Sequence, residues 1–156
     1  MLTPELVTFL ESGCGLIVGT ASSTGEPRAN RGWGLEVLDA GRVRVLLRSD
    51  DSVLTDDLTA NPLLAVTGAD VHTLRSVQLK GRAGTVEPAS SADHERSARY
   101  RRDFFAAIQA IDGFTTTQLD RLVPDGLVAC EMVVTEVYDQ TPGPGAGASI
   151  VRTGSS

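Results

Sequence analysis

The sequence predicts a mainly β domain with flanking helices, built from six antiparallel strands, and three observations carry that prediction. The stretch 16–48 alternates runs rich in Val, Leu and Ile with Gly-containing turns, as an antiparallel meander does. Further β-like runs follow at 63–67, 73–86 and 127–138. Outside those runs stand helix-start signals at Thr3-Pro4-Glu5, Asp51-Ser52, Ser90-Ser91-Ala92-Asp93 and Thr116. At 156 residues the chain is long enough for one core without metal or disulfide support. The expected division is a single domain over 1–140 and a Gly/Pro-rich tail over 141–156.

Taken in order, Thr3 caps a helix that starts on Pro4 and runs to about Ser12, with Leu6, Phe9 and Leu10 inward, before Gly13 stops it. In the meander, Gly25 and Gly41 give the two turns a residue that accepts positive φ. Along the middle strand, 28–37, alternation puts Ala29, Arg31, Trp33, Leu35 and Val37 on one face. Arg28, Asn30, Gly32, Gly34 and Glu36 fall on the other. A polar turn at 49–52 leads, through Asp51 or Ser52 as cap, into a short helix that reaches Leu58 and ends at Asn61-Pro62.

In the strand 73–86, Arg75, Val77 and Leu79 share one face, while Ser76, Gln78 and Lys80 share the other and assign it to solvent or a ligand. The main helix, 90–111, places Tyr100, Phe104, Ala107, Ile108 and Ile111 at helical spacing. Its Arg96, Arg99, Arg101 and Arg102 form either a solvated face paired with Asp93, Glu95 and Asp103, or an anion-binding or subunit-contact face. A short helix over 116–122 stops at Pro124-Asp125-Gly126. The strand 127–138 is apolar on both faces, so it is central or buried between subunits. No regular element is expected in the tail, which is either a stiff strap or a flexible terminus with mobile last residues.

Several functions are disfavoured by composition and spacing. A net charge of −6 and a pI near 4.8 argue against nucleic acid, although a local basic pocket for a small anion stays open. No apolar run approaches the ~20 residues of a membrane helix, and the N-terminus lacks the basic start of a secretory signal. A cytoplasmic protein without membrane contact is expected. His72 and His94 have no partner at metal-ligand spacing, so no metal site is expected. Cys14 and Cys130 fit no redox or metal motif and read as small buried hydrophobes. Gly13-Cys14-Gly15 is no nucleophile elbow, and Gly143, Gly145 and Gly147 precede neither a helix nor a Lys-Ser/Thr pair.

The feature that points to a ligand is the pair Gly32 and Gly34. Glycine weakens a strand and is found where a ligand, a bulge or another backbone comes close. Their bare face is taken as the floor of a binding site.

Three segments in this order, Gly25-Glu26-Pro27, Leu58-Thr59-Ala60-Asn61-Pro62 and the run from Arg75 to Gly81, carry a resemblance to a known family. With the ending Tyr138-Asp139-Gln140-Thr141-Pro142-Gly143-Pro144-Gly145, the chain resembles the FMN-binding split-barrel proteins that include pyridoxamine 5'-phosphate oxidase. The likeness covers residues 1 to about 88 best. It implies a six-stranded antiparallel split β-barrel with flanking helices, a homodimer, and FMN in two clefts between the subunits. It also implies a small-molecule substrate and hydride transfer at flavin N5. On this resemblance Asn30, Arg31, Gly32, Trp33 and Gly34 meet the flavin ring, and Leu47, Arg48 and Ser52 take the next contacts. Ser76, Gln78 and Lys80 face the cleft, and Arg31 or Lys80 supplies the positive charge near flavin N1. Arg31 and Lys80 read equally as solvated strand cations, and Trp33 as a core residue; no catalytic residue is assigned.

The departures from the family are specific. Where its phosphate cradle reads Ser-Arg-Lys, this chain has Ser52-Val53-Leu54. Two lost charge-assisted hydrogen bonds, at about 1.5 to 3 kcal/mol each, remove roughly two to four decades of FMN affinity. Arg28, Arg31, Arg48 and Arg75 are the candidates to compensate. The family's substrate-phosphate lysine falls at Leu35, which argues against pyridoxamine phosphate as substrate. Two alternatives therefore stand beside FMN. One is an F420-dependent reductase of the same fold, whose acidic cofactor tail would use Arg96, Arg99 and Arg102; the other is a non-catalytic flavin- or haem-binding module.

Overall fold

The helix and strand signals are realised in chain order. The computed structural model describes residues 1–152. Helix α1 (Pro4–Leu10) starts on Thr3, whose hydroxyl accepts from the Leu6 amide. Strand β1 (Gly15–Ala21) turns at Gly25, φ +86°, into β2 (Pro27–Arg31). After Gly32-Trp33-Gly34, β3 (Leu35–Asp39) forms a hairpin with β4 (Arg42–Arg48). Helix α2 (Ser52–Ala60) leads to β5 (Leu63–Ala69) and β6 (Ser76–Ala83). The two-residue β7 (Glu87–Pro88) precedes α3 (Ser91–Asp112), α4 (Thr116–Asp120), the long β8 (Leu127–Asp139) and β9 (Ala148–Arg152).

The strands form one antiparallel sheet in the order β2-β1-β5-β6-β8-β4-β3, with β7 and β9 also paired to β8. Its two ends, β2 and β3, are consecutive in the chain, so the sheet closes where they join. The Gly32 amide donates to the Leu16 carbonyl on β1, the Trp33 amide to Leu46 on β4, and the Leu46 amide to Gly34, each at 2.9 Å. One bent strand thus serves both edges of a barrel. The six expected strands are present, with 28–37 divided in two and with β7 and β9 added to give a nine-stranded sheet.

Two expectations need correction. The single alternation over 28–37 does not hold: Ala29 and Arg31 pair with the outward Gly19 and Ile17, whereas Leu35, of the same parity, lies in the core. Changing partner from β1 to β4, with Gly34 at φ +154°, turns the strand over. The tail also holds a regular element, because Gly147 at φ +87° bonds back to Asp139 at 2.7 Å and lays β9 along β8. Residues 153–156, where a mobile end is expected, lie outside the described residues.

Inside the barrel, Leu16, Val18, Val43, Val45, Leu47, Val66, Leu79 and Met132 form the core, and α1 adds Leu6, Phe9 and Leu10. Cys14 and Cys130 are buried free thiols, as expected, and burial pushes both up to about 11. Strand β8 is central, between β4 and β6. Helix α3 lies over the bend: the Tyr100 hydroxyl accepts from the Leu16 amide at 3.1 Å, and Phe105 meets Trp33 edge to face at 6.4 Å. No helix among the described residues is long and apolar enough to cross a membrane.

Candidate functional site

The inward residues of β1, β5 and β6 are buried, so their alternates form an outward face. Register aligns these into two rows across the sheet. One runs Arg31, Ile17, Thr67, Gln78, Tyr138; the next runs Ala29, Gly19, Ala65, Lys80, Glu136. Small side chains at Gly19, Ala65 and Thr67 make the middle of this face flat. Ile17, at 44% exposure, and Leu63, at 53%, leave large apolar groups in water. Polar groups rim it: Gln78 Nε2 donates to Thr67 Oγ1 at 3.0 Å, and Lys80 Nζ lies 4.9 Å from the Tyr138 ring centre. The Tyr138 hydroxyl bonds the Glu136 carboxylate. A cavity of about 390 Å³ opens at this rim beside Leu63, Lys80 and Glu136. It lies at a bulge between Lys80 and Gly81, where any Cβ on Gly81 would overlap the Val133 carbonyl.

No protein-family model and no curated protein matches the sequence. Solved structures do match in shape. HupZ of Group A Streptococcus aligns with a TM-score of 0.58 at 16% identity, over 94% of this chain and 100% of that one. A protein from Clostridium acetobutylicum related to general stress protein 26 of B. subtilis (pyridoxinephosphate oxidase family) aligns at 0.55 and 12% identity, over 94% and 92%. An F420 reductase aligns at 0.55 and 16% identity, over 83% and 93%. This chain has the pyridoxamine 5'-phosphate oxidase-like split-barrel fold. At these identities the likeness is one of fold.

The split barrel brings some of the expected site residues together and separates others. Ser76, Gln78 and Lys80 do share the outward face, and Arg31 stands in Gln78's row with its guanidinium 5.2 Å from the Phe104 ring centre. Trp33 is 2% exposed and Leu47 fully buried, so neither side chain reaches that face. Asn30 is half-buried opposite the buried Val18. The glycine floor is a correction. A Cβ on Gly32 would come within 2.9 Å of the Leu16 side chain, and one on Gly34 within 2.8 Å of Leu46. Their bare faces meet the subunit's own packed side chains, because the bend must pass close to β1 and β4. Sequence reasoning missed the flat floor at Gly19, Ala65 and Thr67; its trace is the alternation of small residues in β1 and β5.

At the start of α2, where the family resemblance puts a phosphate cradle, the chain places a carboxylate of its own. Asp51 caps α2, its Oδ1 accepting from the Val53 amide at 3.0 Å and the Leu54 amide at 3.2 Å. Ser52 is exposed, Val53 is 42% exposed, and Leu54 is buried in the core. The four candidate cations are engaged elsewhere. Arg28 pairs with the buried Asp57 at 3.1 Å, and Arg48 with Asp50, whose carboxyl this bond holds below the usual range. Arg75 pairs with Glu5 at 3.0 Å over the Phe9 ring, and Arg31 lies over Phe104. A carboxylate already on these amides, with the nearby Arg48 bonded to Asp50, does not fit a phosphate dianion there.

Proposed function

We propose that the protein acts as a homodimer that holds a flat flavin-type ring on the outward face of β1, β5 and β6, in the service of oxidising or reducing a small molecule. The observation that supports this is the face itself. Gly19, Ala65 and Thr67 offer a planar floor, and Gln78, Lys80 and Arg31 offer donors and positive charge at its rim. Ile17 and Leu63 supply apolar surface for a second copy to cover. FMN is the cofactor the resemblance implies, but its phosphate lacks a cradle at Ser52, Val53 and Leu54, so FMN would be held mainly through its ring.

A second reading, F420 in the same groove, is favoured by that missing cradle. Of the three arginines that would meet its acidic tail, Arg96 pairs with Glu36 at 3.1 Å, while Arg99 and Arg102 are both exposed, Arg102 lying 3.9 Å from Asp103.

Absorbance and native mass of the purified protein test dimer and ligand together. The expected result is twice the 16.4 kDa chain mass, with a visible band bleached by dithionite. For colourless protein, quenching of Trp33 emission by added FMN or F420 is expected, and the two titrations in parallel separate the readings. A monomer that ignores both cofactors overturns the proposal.

A further inference from the structure

Away from the sheet face, α3 and the loop 123–127 enclose a cavity of about 210 Å³. One wall is a single stripe of the helix, His94, Ser97 and Arg101, at i, i+3 and i+7. The facing wall is apolar at Val123, Pro124 and Leu127, and Asp125 is the acid that lines it. Asp125 also acts on Arg48, whose charged form it favours. At ~30 Å³ per water the space takes about seven waters, or one small molecule.

The decisive observation is Arg101. Its Nε is buried and has no hydrogen-bond partner among the described residues, and its guanidinium forms no ion pair among them. Arg96 and Arg102, on the same helix, each have an acid within 4 Å. Buried N–H groups are almost always paired, and an unpaired donor on a cation costs more than a neutral one. Ser97, 2% exposed, lines the cavity one turn before Arg101, and the exposed His94 lines it one turn before that. Three polar groups converging on a cavity with an apolar back wall are the composition of a small-ligand site.

We infer that this cavity binds a small organic anion, its carboxylate or phosphate on Arg101 with Ser97 and His94, and its short apolar body against Val123, Pro124 and Leu127. This inference is independent of the flavin-type reading. It needs neither a dimer nor a bound ring.

Histidine-ring NMR of the full chain tests it, because the sequence has two histidines and His72 lies outside the cavity. Sodium phosphate and benzoate are titrated separately at constant ionic strength. A saturable shift of the His94 signals with at least one of them, with His72 unmoved, is the expected result, and the preferred probe tells a phosphate ligand from a carboxylate. Arg101→Gln should weaken binding by about tenfold or more, the loss of one charge-assisted hydrogen bond. Arg99→Gln, exposed on the same helix, should change it by less than about twofold, and Asp125→Asn should tighten it by about twofold. Should Arg101→Gln fail to fold, Arg101→Lys, which keeps the charge but loses Nε–H, and Ser97→Ala should each weaken binding. Shifts that do not saturate, that move His72 equally, or that survive the loss of Arg101 Nε–H overturn the inference, as does the absence of any shift with both probes.

Discussion

Helices α2 and α3 both carry an acid at their start, Asp51 as the cap of α2 and Asp93 in the capping box of α3, and they differ in what the acid's charge meets. At α3, the Ser90 hydroxyl accepts from the Asp93 amide at 3.1 Å and Asp93 accepts from the Ser90 amide at 2.8 Å, a closed capping box. Arg44 on β4 then clamps the same carboxylate through both oxygens, at 2.8 and 2.7 Å, and reaches Glu87 at 2.6 Å. At α2, Asp51 covers the Val53 and Leu54 amides, while the nearby Arg48 turns to Asp50 at 2.9 Å. The first acid is a latch between helix and barrel; the second fills with the chain's own charge the place where the family resemblance puts a phosphate. The fold depends on the first far more than on the second.

The largest expected effect follows from that difference. Asp93 is 4% and Arg44 14% exposed at the side chain, so Arg44→Met leaves a buried carboxylate without its cation. Such a break costs about 3 to 5 kcal/mol in denaturant unfolding. Asp51→Ala removes a cap at a solvated helix start and should cost about 1 kcal/mol. Equal losses in the two variants would erase the distinction drawn between the helices.

Acid sharpens it next. The Arg44 bond, against the opposing effect of burial, holds the Asp93 carboxyl at about 2. In the unfolded chain an Asp titrates near about 3.9. Because the folded value is the lower one, this stabilisation is present above about pH 4 and is lost as pH falls toward 2, and it amounts to about 2 to 3 kcal/mol. Unfolding midpoints taken downward from pH 6 should show that loss in the parent chain, and a much smaller one in Arg44→Met.

Much of this was legible in the chain, for physical reasons that differ by element. Thr3, Asp51 and Ser90 announce helix starts because capping is a local bond between a side chain and an amide two or three residues on. The outward position of Ser76, Gln78 and Lys80 was legible because β6 keeps one partner on each side along its length. The bend at Gly32-Trp33-Gly34 was not. Parity counting assumes one pair of neighbours, and here the partner changes from β1 to β4. The same two glycines suggest room for a ligand, but the room is taken by Leu16 and Leu46. At α2, Val53 and Leu54 declared the missing cradle, but that Asp51 occupies both amides depends on backbone angles that composition does not carry.

The smallest change in stability is the most informative about function. Asp51→Ser keeps a good cap, so unfolding should shift by no more than about 0.5 kcal/mol, yet it removes the negative charge from the α2 amides. Val53, 42% exposed, can then become Arg without burying a charge, whereas Leu54, 1% exposed, cannot become Lys on the same terms. If the ring site is real and the α2 end is closed by its own carboxylate, the parent chain should bind riboflavin and FMN alike. The Asp51→Ser, Val53→Arg double variant should prefer FMN by about tenfold or more, the worth of one charge-assisted hydrogen bond, read from Trp33 quenching. A parent chain that already prefers FMN by that margin must hold the phosphate somewhere other than α2. The contrast between the two caps would then describe stability alone.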